Sequence, residues 1–251
     1  MSVEENIKRI KTIITRLKSP SLHGLRKYSS TLYFKKDFLL PCPMQVAAIP
    51  KSTTKIKFVQ KYAGDYIKTV NDDCILNFAS AKHPGGGVLK GTTAQEEDIC
   101  RNSLLYLYLR EFQDKYDIGK FKAGVYYTDF AIYSPDVFTV NEDYQLTTKN
   151  NYITSAAPNL SDLSDYNVYE LKQTWYRRVL GILSIAYIHG CKKITLGPWG
   201  CGVFKNDPYL VEEVFYDLIK IYGGNFEQIT FLTPDDYHLE IFSRKLKNLN
   251  L

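Results

Sequence analysis

Paired cysteines are the first thing this chain lacks. Its five cysteines, Cys42, Cys74, Cys100, Cys191 and Cys201, are odd in number, far apart and never in a C-x-x-C arrangement. Neither a disulfide framework nor a zinc site is indicated. Long apolar runs are missing too: no stretch approaches the roughly 18 apolar residues that a bilayer span requires. The opening MSVEENIKRIKTIITRLK mixes charges with aliphatics and has no uninterrupted apolar h-region. Dense basic runs are absent. Lys8-Arg9-Ile10-Lys11 and Lys245-Leu246-Lys247 are small clusters in a chain of net charge +5, whereas a sequence-blind nucleic-acid binder carries a denser one. There is no internal repeat and no low-complexity segment. These absences leave a reducing, intracellular, soluble protein, cytoplasmic or nuclear, with no membrane partner, no direct DNA binding and a monomeric state as the expectation.

At 251 residues the chain can bury a substantial core. Its mild positive charge favours a polyanion or a diphosphate as ligand. Val3, Ile7, Ile10, Ile14 and Leu17 recur at spacings of three and four, one face of an amphipathic helix that Pro20 ends. A polar, proline-containing stretch follows to about residue 50. The expectation is an N-terminal helical extension over 1–50 and one domain over 51–251. From residue 55, strand and helix patterns alternate. KIKFVQ, CILNFA, GVYYTDFAIY, NYITSAAP, KKITLG and QITFLT read as strands. Helices are expected over 92–112, over 169–189 with Gly190 just past the end, over 208–222 with Asn206 or Asp207 as cap and Pro208 in the first turn, and over 237–249. Such alternation implies an α/β fold with a parallel or mixed sheet covered by helices, and ligands bind such sheets beyond the carboxyl ends of strands.

Two glycine-rich connections sit there. The first, in NFASAKHPGGGVLKGTTAQEED, follows the strand CILNFA. Its three consecutive glycines allow backbone angles closed to other residues and let a ligand approach the main chain; a tight turn needs no more than one or two. The second, LGPWGCGVFKNDP, has glycines in a G-x-x-G-x-G pattern ahead of a capped helix start. Backbone N–H groups there suit a phosphate or diphosphate. It is neither a P-loop nor the dinucleotide fingerprint. For Trp199 and Phe204, aromatics beside glycine, core packing is the default reading, while two such loops at successive strand ends suggest one ligand held between them.

Glu96 and Glu97 also have two readings. Thr93-Ala94-Gln95-Glu96 fits the capping box T-x-x-E, and acidic residues favour a first helical turn. Glu97 is not needed for a cap. Successive helical residues point about 100° apart, so the pair is suited to two separate tasks, one carboxylate binding hydroxyls and the other moving a proton. A proton-bearing glutamate beside a sugar is what glycoside hydrolysis requires.

These motifs resemble a known family. GGGVLKGTTAQEE matches the G-G-G-x(6–8)-Q-E-E pattern of poly(ADP-ribose) glycohydrolases with a spacer of seven. LNFASAKHPGGGVLKGTTAQEEDICRNSLLY, AAPNL and LGPWGCGVFKNDP, in that order, are similar to the microbial-type branch, over about residues 55–235. The resemblance implies a macrodomain-like three-layer α/β/α sandwich with a mixed central sheet. It implies a glycosidase that hydrolyses ribose–ribose O-glycosidic bonds, mainly exo, on poly(ADP-ribose) and ADP-ribosylated proteins, reversing ADP-ribosylation. ADP-ribose is the product and no cofactor or metal is required. Carried over, Glu97 falls on the catalytic acid, Glu96 on the partner that positions ribose hydroxyls, and Gln95 completes the motif. Gly85, Gly86 and Gly87 fall on the loop beside the distal ribose and phosphates. Gly200, Cys201, Gly202 and Val203 fall on the diphosphate loop, and Phe204 on the aromatic flanking the sugar. Asn77 and Ser80 lie on the ribose side, and Asp65, in AGDYI, at the adenine amine. Pro198 departs from the small residue expected there, without removing a needed N–H. The alternatives are a mono-ADP-ribosyl hydrolase, a non-catalytic ADP-ribose-binding reader, and a capped-helix structural protein without a ligand.

Overall fold

The computed structural model describes residues 2–16, 30–33, 54–116, 126–162, 165–249 and 251. Among them, seven strands form one sheet: β1 (Thr31–Tyr33), β2 (Lys55–Gln60), β3 (Cys74–Phe78), β4 (Ala131–Val140), β5 (Leu146–Ser155), β6 (Lys193–Leu196) and β7 (Gln228–Thr233). Their order is β1-β4-β5-β3-β6-β7-β2. β1, β4 and β5 pair antiparallel, and β5, β3, β6, β7 and β2 pair parallel. The expected mixed α/β sheet is present.

Successive strand residues point to opposite faces, and that alternation sorts the core in two. Cys74, Leu76, Ala131, Tyr133 and Ile153 face α5 (Val168–Ile188), α6 (Pro208–Tyr222) and α7 (Asp236–Leu246) through Trp175, Phe215 and Phe242. Ile75, Ile132 and Tyr152 face α1 (Val3–Arg16), α3 (Gln95–Asn102) and α4 (Leu105–Leu109) through Ile10, Ile99 and Leu105. A short helix, α2 (Ala63–Tyr66), follows β2. Helices thus cover both faces of the sheet.

Several boundaries differ from expectation. The helix expected over 92–112 is broken between α3 and α4. Ser103 is extended and bridges Thr139, and Leu104 N–H donates to Phe138 O at 2.9 Å, so tertiary pairing with β4 takes these two residues out of the helix. The strand expected from Gly124 begins at Ala131, and the segment read as a loop is a hairpin of two ten-residue strands. β1 lies in the stretch expected to be irregular. The buried stripe of α1 is Asn6, Arg9, Ile10 and Ile13, while Val3 is exposed. Two polar residues take the inner face because they have partners there. Leu17, Pro20 and the stretch 34–53 lie outside the described residues, as do Cys42, Gly124 and Val125.

Caps at the other helices follow local chemistry. Asp207 accepts from Tyr209 N–H at 2.9 Å ahead of Pro208, and Asp235 accepts from His238 N–H at 2.8 Å. Gly190, at φ +71°, follows α5. No helix of the described residues is long and apolar enough to cross a membrane.

Candidate active site

The parallel strands β2, β3, β6 and β7 all end at one cavity of about 910 Å³, a volume typical of small-ligand sites. The opening follows from the sheet. β3 and β6 are in register only at Cys74–Ile194 and Ile75–Thr195. Beyond Ile75 the two strands part, and Gln95 fills the gap. Its Nε2 donates to Leu76 O at 2.9 Å and its Oε1 accepts from Phe78 N–H at 2.8 Å. The carboxamide takes the place of the missing β6 backbone and starts α3 at the cavity wall.

The expected capping box does not form. Ala94, not Thr93, is the N-cap, with no side-chain cap bond. Glu96 turns instead toward the loop after β3. Its Oε2 accepts from Ser80 N–H at 2.7 Å, and its Oε1 accepts from Gly85 N–H and Asn77 Nδ2, both at 3.2 Å. Glu97 Oε1 accepts from Gly87 N–H at 2.7 Å and from Thr92 Oγ1 at 3.0 Å. Glu97 Oε2 is buried with no partner. Burial pushes the Glu96 carboxyl up to about 8; the Ser80 N–H opposes this and the charge of Glu97 adds to it.

The glycines therefore serve the glutamates first. Gly85 and Gly86 sit at φ +69° and +59°, and a Cβ on Gly86 would lie 2.4 Å from Glu97 Oε1. The N–H of Gly86 is held by His83 O, so all three glycine N–H groups are engaged within the protein.

The second loop is different. Cys201 N–H donates to Pro198 O, but the N–H groups of Gly200, Gly202, Val203 and Phe204 meet no acceptor among the described residues. Gly202 and Val203 are exposed at the cavity. Successive open N–H groups form an anion-binding concavity. Trp199 anchors this loop: fully buried, it donates from Nε1 to Ser155 O at 3.2 Å and packs edge-on against Trp175. Trp199 and Phe204 both pack on the core and line the cavity; Trp199 is fully buried and Phe204 half-buried. Asn206 ties the loop's base through Nδ2 to Pro158 O and Gly200 O.

Of the residues singled out in the sequence, Ser80, Gly86, Gly87, Gln95, Glu96, Glu97, Gly200, Gly202, Val203 and Phe204 line the cavity. Asn77 and Gly85 stand behind it, holding Glu96. Cys201 packs on the core, its Sγ toward Trp199 O. Asp65 is not among the lining residues; its carboxylate is 70% exposed and 3.6 Å from Lys68 Nζ. Asp98 lines the cavity instead and accepts from Gly64 N–H at 2.7 Å. Lys61, Tyr62, Tyr106, Asp235 and His238 also line it and carried no motif; the strand-end rule, applied after β2 and β7, points to four of them. Among the described residues no group of three His, Cys, Asp or Glu is arranged to hold a metal.

Comparison with known proteins agrees with this geometry. Residues 4–142 match the family model of the microbial-type PARG, catalytic domain. No curated protein matches by sequence. Among solved structures, poly(ADP-ribose) glycohydrolase from Thermomonospora curvata is 28% identical with a TM-score of 0.85, covering 97% of this chain and 100% of that one. The same enzyme bound to the inhibitor ADP-HPD gives 28% and 0.81 over the same shares. The Deinococcus radiodurans enzyme in complex with ADP-ribose gives 30% identity and 0.76, covering 92% of this chain and 99% of that one. With its family model spanning more than half the chain, this protein belongs to the microbial-type poly(ADP-ribose) glycohydrolases, glycosidases that hydrolyse the glycosidic bonds of poly(ADP-ribose).

Proposed function

We propose that the chain releases ADP-ribose from polymer ends with Glu97 as the general acid. The observation that carries this is Glu97 Oε2, a buried carboxyl oxygen without a partner on a residue lining the cavity. A buried acceptor left unpaired is costly, and a substrate oxygen is what it lacks. Burial pushes the Glu96 carboxyl up to about 8, so the adjacent pair of carboxyls keeps one proton near neutral pH. Glu96 meets three donors and has no acceptor to give a proton to. Glu97 Oε2 is the oxygen placed to hand it over.

The reaction then runs as follows. The terminal ADP-ribose lies with its diphosphate on the open N–H groups of Gly202, Val203 and Phe204, and Glu96 orients its ribose hydroxyls. Glu97 protonates the departing ribose oxygen, and the C–O bond breaks through an oxocarbenium-like transition state. The Glu97 carboxylate takes a proton from the water that adds to the sugar, which restores the acid.

The test is purified protein incubated with poly(ADP-ribose), with free ADP-ribose as the readout. Glu97→Gln should lower release on the order of 10³-fold, within the range of a general acid, and leave ADP-ribose affinity within a few-fold. Unchanged release in that variant would sink the assignment. Mono-ADP-ribosylated protein offered in parallel separates polymer from side-chain hydrolysis, and the polymer should be the faster substrate.

A further inference from the structure

Thr92 lies outside the G-G-G and Q-E-E residues, yet its hydroxyl reaches Glu97 Oε1 at 3.0 Å, beside the Gly87 N–H on the same oxygen. Two donors on Oε1 leave Oε2 as the only place for a transferable proton, because an oxygen facing two donors cannot present a hydrogen of its own to substrate. Thr92 is itself held at both ends. Its N–H donates to Gly87 O, and its carbonyl accepts from Arg101 Nη1.

The holders lead out to α1. Asn6 Nδ2, buried, donates to Gly91 O at 3.2 Å, one residue before Thr92. Arg9 Nε donates to Arg101 O at 2.9 Å. Gly91 sits at φ +80°, where a Cβ would lie 2.8 Å from Val3 O, so the start of α1 rests directly on that turn. This accounts for the polar inner face of the first helix: Asn6 grips the turn that carries Thr92, and Arg9 holds Arg101, whose guanidinium bonds the Thr92 carbonyl.

We infer that Thr92 is a positioning residue for the acid, fixing which oxygen of Glu97 carries the proton, and that α1 acts on the chemistry through it. The inference rests on Glu97 being the acid. Thr92→Val keeps the side-chain volume and removes the hydroxyl; Thr92→Ser keeps the hydroxyl. Thr92→Val should lower kcat on poly(ADP-ribose) by roughly tenfold to a hundredfold, the worth of one hydrogen bond to the carboxylate that forms as Glu97 gives up its proton, with KM within about twofold and Tm little changed. Thr92→Ser should restore most of the rate. Asn6→Ala should lower kcat several-fold in the wild-type chain and no further in the Thr92→Val background, because both act on one contact. Wild-type kcat in Thr92→Val, equal losses in Thr92→Val and Thr92→Ser, or losses of Asn6→Ala and Thr92→Val that multiply would each overturn the inference. The amide resonance of Gly87 reports on the shared oxygen without turnover. It should move in Thr92→Val and stay in Thr92→Ser, and a resonance unmoved in both refutes the contact. Full activity in Glu97→Gln would instead remove the acid assignment alone, while the Gly87 resonance still tested Thr92.

Discussion

A glycine in a binding loop is ordinarily read as space for the ligand, and here two glycines at one cavity separate into different cases. Gly86 has φ +59° and a virtual Cβ 2.4 Å from the Glu97 carboxylate; Gly202 has open space around it and no positive φ. Gly86→Ala should therefore cost about 1–3 kcal/mol of stability from backbone strain and the displaced carboxylate, and should lower kcat. Gly202→Ala should leave Tm nearly unchanged and lower ADP-ribose affinity. Thermal melts with and without ADP-ribose, alongside kcat, decide between them. A Gly86→Ala chain with full stability and rate would show that the loop has slack.

At the scale of elements, the junction of β3, β6 and α3 opens the cavity, and Gln95 is its closure. Gln95→Leu keeps the approximate size but strands Leu76 O and Phe78 N–H. An unpaired buried group costs about 1–3 kcal/mol, and these two are partly buried at the cavity wall, so chemical denaturation should show a loss of about 1–3 kcal/mol in total. Loss of ADP-ribose affinity with stability intact would mean that the amide serves the ligand instead. What the sequence made legible at this scale was local in its causes. Strand alternation, the Asp207–Pro208 start of α6 and the Gly190 stop after α5 depend on neighbours a few residues away. What it hid depends on distant partners. Asn6 and Arg9 break the apolar stripe of α1 in the sequence, and the reason shows only when Gly91 and Arg101, some 85 to 92 residues on, are placed beside them. Glu96 satisfies a capping pattern on paper, but Ser80, Gly85 and Asn77 offer it three donors that the pattern cannot see. Asp65 and Asp98 are both acids near α2, and only the packing of α3 on α2 shows which one faces the cavity. β1, three residues long, is held by pairing with β4 rather than by any pattern of its own.

For the molecule as a whole, burying Glu96 makes stability depend on pH. Its value in the folded chain is about 8 against an ordinary 4.5. Between those limits the folded chain holds a proton that the unfolded chain has released, so stability falls as pH rises through the window, by up to a few kcal/mol, and levels off above it. Melts from pH 5 to 9 should show the decline, and Glu96→Gln should flatten it. An equal slope in both chains would mean other groups set the dependence.

The two walls of the cavity also differ in when they exist. Both carboxylates and every donor that holds them lie between Asn77 and Glu97, whereas Gly200 comes about a hundred residues later. Since synthesis runs from the N-terminus, the ribosome delivers the half of the site proposed to donate the proton well before the half proposed to hold the anion. On the proposed assignment, a nascent or truncated chain ending ahead of Gly200 carries Glu97 and lacks the loop whose open N–H groups would hold the diphosphate.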